Sequence, residues 1–112
     1  MDTRYFEEIP NAITVCNTLG VIVYMNQKAT ESLAKYGGAT LLGTNMLDCH
    51  PEPSKTKVKE MLKKQQVNTY MIEKEGKKKL IHQTPWYDEG KFGGLIEISI
   101  ELPEGMPAFQ RK

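Results

Sequence analysis

The step Cys49-His50-Pro51 is the one place in the chain where a cysteine and a histidine adjoin. A neutral imidazole can ligate haem iron or another metal, and a cysteine thiolate can ligate or react as a nucleophile. Two adjacent side chains point in different directions, however, and one such pair does not complete a four-ligand zinc site. Two interpretations stay open, a polar contact for a ligand and a histidine that only hydrogen-bonds its own loop, and no metal site is assigned.

The second histidine, His82, lies in the extended segment LIHQTPW, four residues before Trp86. The alternation of a strand puts these two side chains on one face. If this face lines a cavity, His82 would bind the polar edge of a ligand and Trp86 its flat ring. If it faces solvent, His82 would be an ordinary half-exposed strand residue. The sequence alone leaves open which of the two faces is inward.

Catalytic motifs are absent from the sequence. We find no paired carboxylates at a plausible cleft, no phosphate-binding loop and no serine nucleophile elbow, so we expect no enzyme and name no catalytic residue. The 112 residues carry 15 basic and 14 acidic side chains, a net charge of +1, which argues against a nucleic-acid partner. The lysines at 74 and 77–79 lie beside Glu73 and Glu75, and no aromatic stacking set accompanies them.

Cysteine usage and the N-terminus predict a reducing compartment. Cys16 and Cys49 lack any CxxC spacing, and we expect both to be free thiols rather than a disulfide. The start MDTRYFEEIP has acidic residues where a secretory signal needs a basic start. No apolar run approaches the roughly 20 residues of a membrane span. We therefore expect a cytoplasmic protein without a membrane partner.

Hydrophobic periodicity and turn residues indicate the elements that must position these side chains. The apolar residues Tyr5, Phe6 and Ile9 predict a short amphipathic helix that ends at Pro10. Asn26 stands at the N-cap of a second helix. The predicted order is a lead-in helix over 3–9, strands over 12–17 and 21–25, a helix over 27–35, irregular turns over 39–47, a helix over 53–64, and strands over 67–74, 77–86 and 92–102.

The final strand has the clearest alternation. Ile96, Ile98 and Ile100 alternate with acidic and hydroxyl residues, which is the pattern of a strand with one buried and one solvated face. We therefore predict that these isoleucines face inward. A chain with this order of elements most economically forms an antiparallel sheet with helices packed on one face.

Two stretches resemble the motifs of PAS domains. NTLGVIVYMN, over 17–26, resembles their signature hairpin, in which an Asp or Asn, two residues, a glycine, alternating apolar residues and an asparagine recur. ATESLAKYGGATLLGTNMLD, over 29–48, is similar to the PAS segment that links two helices and ends in an apolar-apolar-glycine step, here 41–43. Asn17 replaces the commoner aspartate and keeps its turn-forming ability. The resemblance covers about residues 9–102.

The resemblance implies an α+β fold, a five-stranded antiparallel sheet of strand order 2-1-5-4-3 with short helices packed on one face. It also implies a sensory role, in which a cavity between sheet and helices holds haem, flavin, another small ligand or nothing. No motif specifies a cofactor. We expect a single domain over 1–112, with its core at 9–102 and a tail at 103–112. Because little chain follows the core, we expect it to act in trans on a separate signalling protein, or to be a fragment.

Two functions stay open, a small-ligand sensor, which we prefer, and a ligand-free module that pairs with itself or with another protein. A sensor should have a cavity of mixed polarity, whereas an interaction module should have a filled cavity and a large exposed apolar surface. The apolar lead-in helix predicts a homodimer. The polar contacts of the cavity are assigned to Cys49 and His50, at its entrance. The remaining predicted ligand-binding residues are Leu33, Met46, Val58, Met61, Tyr70, Ile96 and Ile98.

Overall fold

The computed structural model describes residues 2–49 and 52–112. Its helices are α1 (Arg4–Glu7), α2 (Gln27–Ser32) and α3 (Ser54–Lys64), and its strands are β1 (Ala12–Asn17), β2 (Ile22–Met25), β3 (Asn68–Lys74), β4 (Lys77–Asp88) and β5 (Lys91–Glu101). Three 3-10 turns, Ala34–Tyr36, Gly38–Leu41 and Met46–Cys49, lie between α2 and α3. Within the described ranges, no helix is long and apolar enough to cross a membrane.

The five strands form one antiparallel sheet in the order β2-β1-β5-β4-β3. This is the strand order that the PAS resemblance implies, and the prediction is confirmed. The first and last strands of the chain therefore meet in the middle of the sheet, while β2 and β3 form its two edges. The segment from α2 to α3 crosses one face of the sheet and connects these edges.

Asn26 ends the first hairpin and begins α2, as its position in the sequence predicts. Its side-chain oxygen accepts a hydrogen bond from the backbone N–H of Ala29 at 3.0 Å, which satisfies one of the donors that a helix N-terminus leaves free. The helix ends at Ser32, earlier than predicted. The chain turns a few residues later at Gly37, whose φ of 121° favours glycine, and the N–H of Gly38 donates to the carbonyl of Leu33.

The hydrophobic core lies between the sheet and the helical segment. Cys16 and Met61 are fully buried there, and Ala29 of α2 and Val58 of α3 are nearly so. Each large apolar side chain buried in this way contributes about 1.5–3 kcal/mol relative to an exposed one. We call the sheet face that contacts these helices the inner face, and the opposite side the outer face. The other members of the core cluster are Ile22, Met25, Leu41, Met46 and Leu95.

Register shows which residues of β5 belong to the inner face. Residues directly opposite each other in an antiparallel pair share a face. Leu95 lies opposite the buried Cys16, and Glu97 lies opposite Thr14, which is only 7% exposed. Leu95 and Glu97 therefore point towards the helices.

The prediction that the isoleucines of β5 face inward is wrong. Ile96 lies opposite Val15, and Ile98 lies opposite Ile13, both on the outer face. Ile100 follows the same alternation and is 37% exposed. Alternation showed correctly that the two faces of β5 differ. The isoleucines lie on the outer face, and Glu97 can lie on the inner face because polar side chains of neighbouring strands hydrogen-bond to one another there.

A glycine pair brings β1, β4 and β5 close together at one end of the sheet. Gly94 has a φ of 141°, and a Cβ there would collide with the carbonyl oxygen of Cys16. The ring of Trp86 covers Gly93, and its Nε1–H donates to the same Cys16 carbonyl at 3.0 Å. These contacts hold the β4–β5 hairpin against β1.

Candidate ligand-binding cleft

Two cavities lie beside the hydrophobic core, between the inner face of the sheet and the helical segment, and we call them together the cleft. The α2 cavity, of about 140 Å³, has apolar walls formed by Ile22, Leu33, Leu41 and Met46. Thr14, Tyr36 and Glu97 add polar groups to the same cavity. The α3 cavity, of about 230 Å³, lies against Val58 and Lys57 on the helix and Asn68, Tyr70 and Gln83 on the sheet.

A row of three hydrogen-bonded side chains runs across the inner face from β3 to β5. The Nδ2 group of Asn68 donates to Oε1 of Gln83 at 3.0 Å, and the Nε2 group of Gln83 donates to Oε1 of Glu97 at 2.7 Å. The row exists because the three residues lie opposite one another in register. Glu97 lines the α2 cavity, while the other two line the α3 cavity. We call Asn68, Gln83 and Glu97 the polar row.

The carboxylate of Glu97 gives the α2 cavity a negative character. The described residues contain two ion pairs, Arg4–Asp2 and Lys77–Glu101, and neither involves Glu97. Burial, with a further contribution from the charge of Glu97, raises the pKa of the Tyr70 phenol. Burial also raises the pKa of the Cys16 thiol above its ordinary value of 9.0, so this thiol stays protonated at neutral pH.

Five of the predicted ligand-binding residues lie at the cleft or directly behind it. Leu33 and Met46 line the α2 cavity, and Val58 and Tyr70 line the α3 cavity. Met61 is fully buried in the core between the helix and the sheet. Their contact with a ligand stays a prediction.

The other four predicted residues do not join this group. Ile96 and Ile98 lie on the outer face, so their assignment to the cavity wall is corrected. His50 lies outside the described residues, and for Cys49 the structure describes only the backbone at the end of a 3-10 turn. The polar role assigned to Cys49 and His50 stays a prediction.

Sequence reasoning missed the polar row and Thr14. Polar residues that alternate with apolar ones in a strand predict a solvated face, so the sequence of β5 predicts a solvated Glu97. Only the alignment of β3, β4 and β5 shows that Asn68, Gln83 and Glu97 are neighbours. The available signal was Gln83, which the alternation of a strand places on the same face as the apolar Ile81.

Haem and flavin, the cofactors that the resemblance implies, do not fit the two cavities as they stand. Pockets for drug-sized ligands measure about 300–1,000 Å³, whereas these cavities measure about 140 and 230 Å³. His82, the histidine that the structure describes, lies on the outer face opposite Ile98 and is hydrogen-bonded through Nδ1 to Thr69. In residues 2–49 and 52–112, no group of three or more His, Cys, Asp and Glu side chains is placed to hold a metal ion.

A wider depression, of about 920 Å³, lies between the β3–β4 hairpin and the tail after β5. Its walls include the exposed charged residues Glu73, Lys77 and Glu101. It lacks the buried apolar wall and the ordered polar groups of a specific ligand site. The cleft is therefore the stronger candidate.

Comparison with known proteins gives one family match. The family model described as PAS fold matches residues 6–104. No curated protein sequence matches the chain significantly.

Solved structures with the same fold include several sensor domains. A C-terminal domain from Streptococcus mutans has 23% identity and a TM-score of 0.70, and the match covers 87% of this chain and 79% of that one. A sensory box sensor histidine kinase from Vibrio cholerae has 19% identity and a TM-score of 0.63, over 90% and 89% of the two chains. The Aer2 receptor from Vibrio cholerae, described as a dual PAS-heme oxygen sensor, has 15% identity and a TM-score of 0.61, over 83% and 95%.

Proposed function

Because the chain belongs to the PAS-fold family, whose model matches residues 6–104, we propose that it is a sensor module that binds a small organic molecule in the cleft. The observation that carries this proposal is the combination of apolar cavity walls with the hydrogen-bonded polar row. Specific small-molecule sites combine these two features, since the apolar wall supplies affinity and a few fixed polar groups orient the ligand. The similar solved structures from Vibrio cholerae include sensor proteins, which supports the same class of function.

The sheet connects the cleft to the outer surface. Glu97 touches the cleft, and its neighbours Ile96 and Ile98 lie on the outer face of the same strand. A ligand that displaces Glu97 or Gln83 therefore shifts the strand that carries the outer isoleucines. We propose that a second copy of the chain, and in turn a separate signalling protein, responds to this shift.

A ligand-free interaction module is the second candidate, and the exposed apolar side chains of the sheet favour it. Val23 is 51% exposed and Met71 is 55% exposed. These two side chains lie on the two edge strands of the sheet, and exposed apolar surface is typical of interaction sites. This candidate requires a cleft that no small molecule enters.

The absence of enzymatic activity and the cytoplasmic location stay predictions.

Native mass spectrometry of the freshly purified protein tests the sensor proposal. We expect the native monomer or dimer to exceed the mass of its one or two chains by the mass of a small molecule, and this excess should disappear after denaturation. Leu33→Trp should remove the bound mass, because the larger ring fills the α2 cavity. The matched control is Leu42→Trp, nine residues further along the same segment, where the side chain is 47% exposed. Retention of the extra mass by Leu33→Trp, or a bare chain mass in every preparation, would favour the interaction module.

A further inference from the structure

The second carboxylate oxygen of Glu97 has no protein partner among the described residues. Oε1 accepts the hydrogen bond from Gln83 at 2.7 Å. A carboxylate offers about four acceptor positions on its two oxygens. Within residues 2–49 and 52–112, no hydrogen bond reaches Oε2, and Glu97 takes part in neither ion pair. The polar row thus holds the carboxylate through Oε1, and Glu97 also lines the α2 cavity, where a ligand can use its remaining acceptor positions.

The surroundings of this carboxylate are apolar and aromatic. Ile22, Leu33 and Met46 line the same cavity, and so does Tyr36, whose side chain is largely exposed. The ring of Tyr36 already has a cation over one face, since Nζ of Lys35 lies 5.5 Å from the ring centroid. A ring in this position stabilises positive charge through its quadrupole.

We propose that the ligand of the α2 cavity is a small organic cation. Its ammonium or amidinium group donates to Oε2 of Glu97, and its hydrocarbon part packs against Ile22, Leu33 and Met46. This inference rests on the sensor function proposed above and specifies the ligand class. The cavity volume of about 140 Å³ is comparable with the roughly 150 Å³ of an apolar cavity that binds benzene, so the hydrocarbon part is about one ring in size.

Charge balance favours a cation over a neutral donor. Enclosing a ligand in the cavity removes water from the carboxylate, and an unpaired charge is costly in such a place. The basic residue that lines the cleft, Lys57, belongs to the α3 cavity and not to the α2 cavity. The charge of Glu97 already affects the Tyr70 phenol on the same face of the sheet, where it adds to the rise in pKa that burial causes. A ligand cation supplies the missing positive charge.

The test compares three ligands of one ring size and different charge. Benzylamine, benzyl alcohol and benzoate are titrated into the protein, and the dissociation constants are measured by NMR. Glu97→Gln removes the charge but keeps an oxygen that accepts from Gln83. Glu101→Gln is the matched control, because Glu101 lies on the same strand and is exposed beyond the cleft.

We expect benzylamine to bind at least about tenfold more tightly than benzyl alcohol, since its ammonium group adds attraction between opposite charges to the hydrogen bond that a neutral hydroxyl makes with the carboxylate. Glu97→Gln should weaken benzylamine binding by about tenfold and change benzyl alcohol binding by less than about twofold. Glu101→Gln should leave all three dissociation constants unchanged. If Glu97→Gln does not fold, the three-ligand comparison on the unmodified chain decides the question.

Equal or tighter binding of benzyl alcohol or benzoate in the cleft would overturn the cation proposal and leave the sensor function intact. Unchanged benzylamine affinity in Glu97→Gln would overturn it in the same way. Binding of none of the three compounds would also overturn the cation proposal, and the native mass measurement then decides separately whether the sensor function stands.

Discussion

Asn26 joins three elements through one fully buried side chain. Its oxygen caps α2 and also accepts from the N–H of Ile13, while its Nδ2 group donates to the carbonyls of Phe6 and Asn11. The cap was predictable because its partner lies three residues away, within one helical turn. The other partners are 13 to 20 residues distant, and their approach depends on the complete fold.

Replacing Asn26 by alanine should lower the free energy of unfolding by roughly 2–4 kcal/mol. The change removes the cap and leaves backbone groups of α1 and β1 without their partners in a buried place. Urea denaturation followed by circular dichroism measures the difference. Asn11→Ala is the control, because Asn11 contributes its backbone carbonyl to this network and keeps it in the variant. A loss below about 1 kcal/mol for Asn26→Ala would show that water replaces these bonds without cost.

At the scale of the element, β5 shows why alternation did not predict the cavity wall. A period of two shows that two faces differ, but it does not say which one contacts the helices. The apolar set, including Ile96 and Ile98, covers the outer face, while Glu97 enters the cleft because Gln83 on β4 supplies a hydrogen bond. Cross-strand partners of this kind depend on register, which a single strand sequence does not contain.

The apolar outer face and α1 together predict the homodimer interface. Tyr5 is 73% exposed and Phe6 is 46% exposed, so α1 carries apolar surface that the chain itself does not cover. The outer face of the sheet adds the isoleucines of β5 to the apolar surface of the molecule. Burying such a surface against a second copy removes it from water symmetrically.

Tyr5→Ser combined with Phe6→Ser should convert a dimer into a folded monomer at high micromolar concentration. The double change removes apolar side chains from the interface and keeps the Phe6 carbonyl that Asn26 uses. Light scattering measures the mass, and Tyr36→Ser is the control, since this exposed tyrosine lies at the cleft side. A monomeric unmodified chain, or a dimer that survives the double change, would contradict this interface.

At the scale of the whole molecule, the architecture was predictable and the chemistry of the cleft was not. The order of elements predicted an antiparallel sheet, and the PAS resemblance of the hairpin around Asn17 and Asn26 implied the strand order that the structure has. Leu33 and Val58 line the cleft, as their sequence positions predict, because local periodicity determines which face of a helical segment contacts the sheet. The polar row requires three strands in register, and no local pattern predicts that alignment.

Methyl NMR tests the central claim, that the cleft and not the outer face binds a small molecule. The protein is labelled at the methyl groups of isoleucine, leucine, valine and methionine and titrated with a set of cationic, neutral and anionic fragments. The account predicts intermolecular NOEs from a bound fragment to the methyl groups of Leu33, Met46 and Val58, which line the two cavities, and none to Val15 and Ile98 on the outer face. NOEs confined to the outer-face methyls, or no NOE with any fragment, would contradict it.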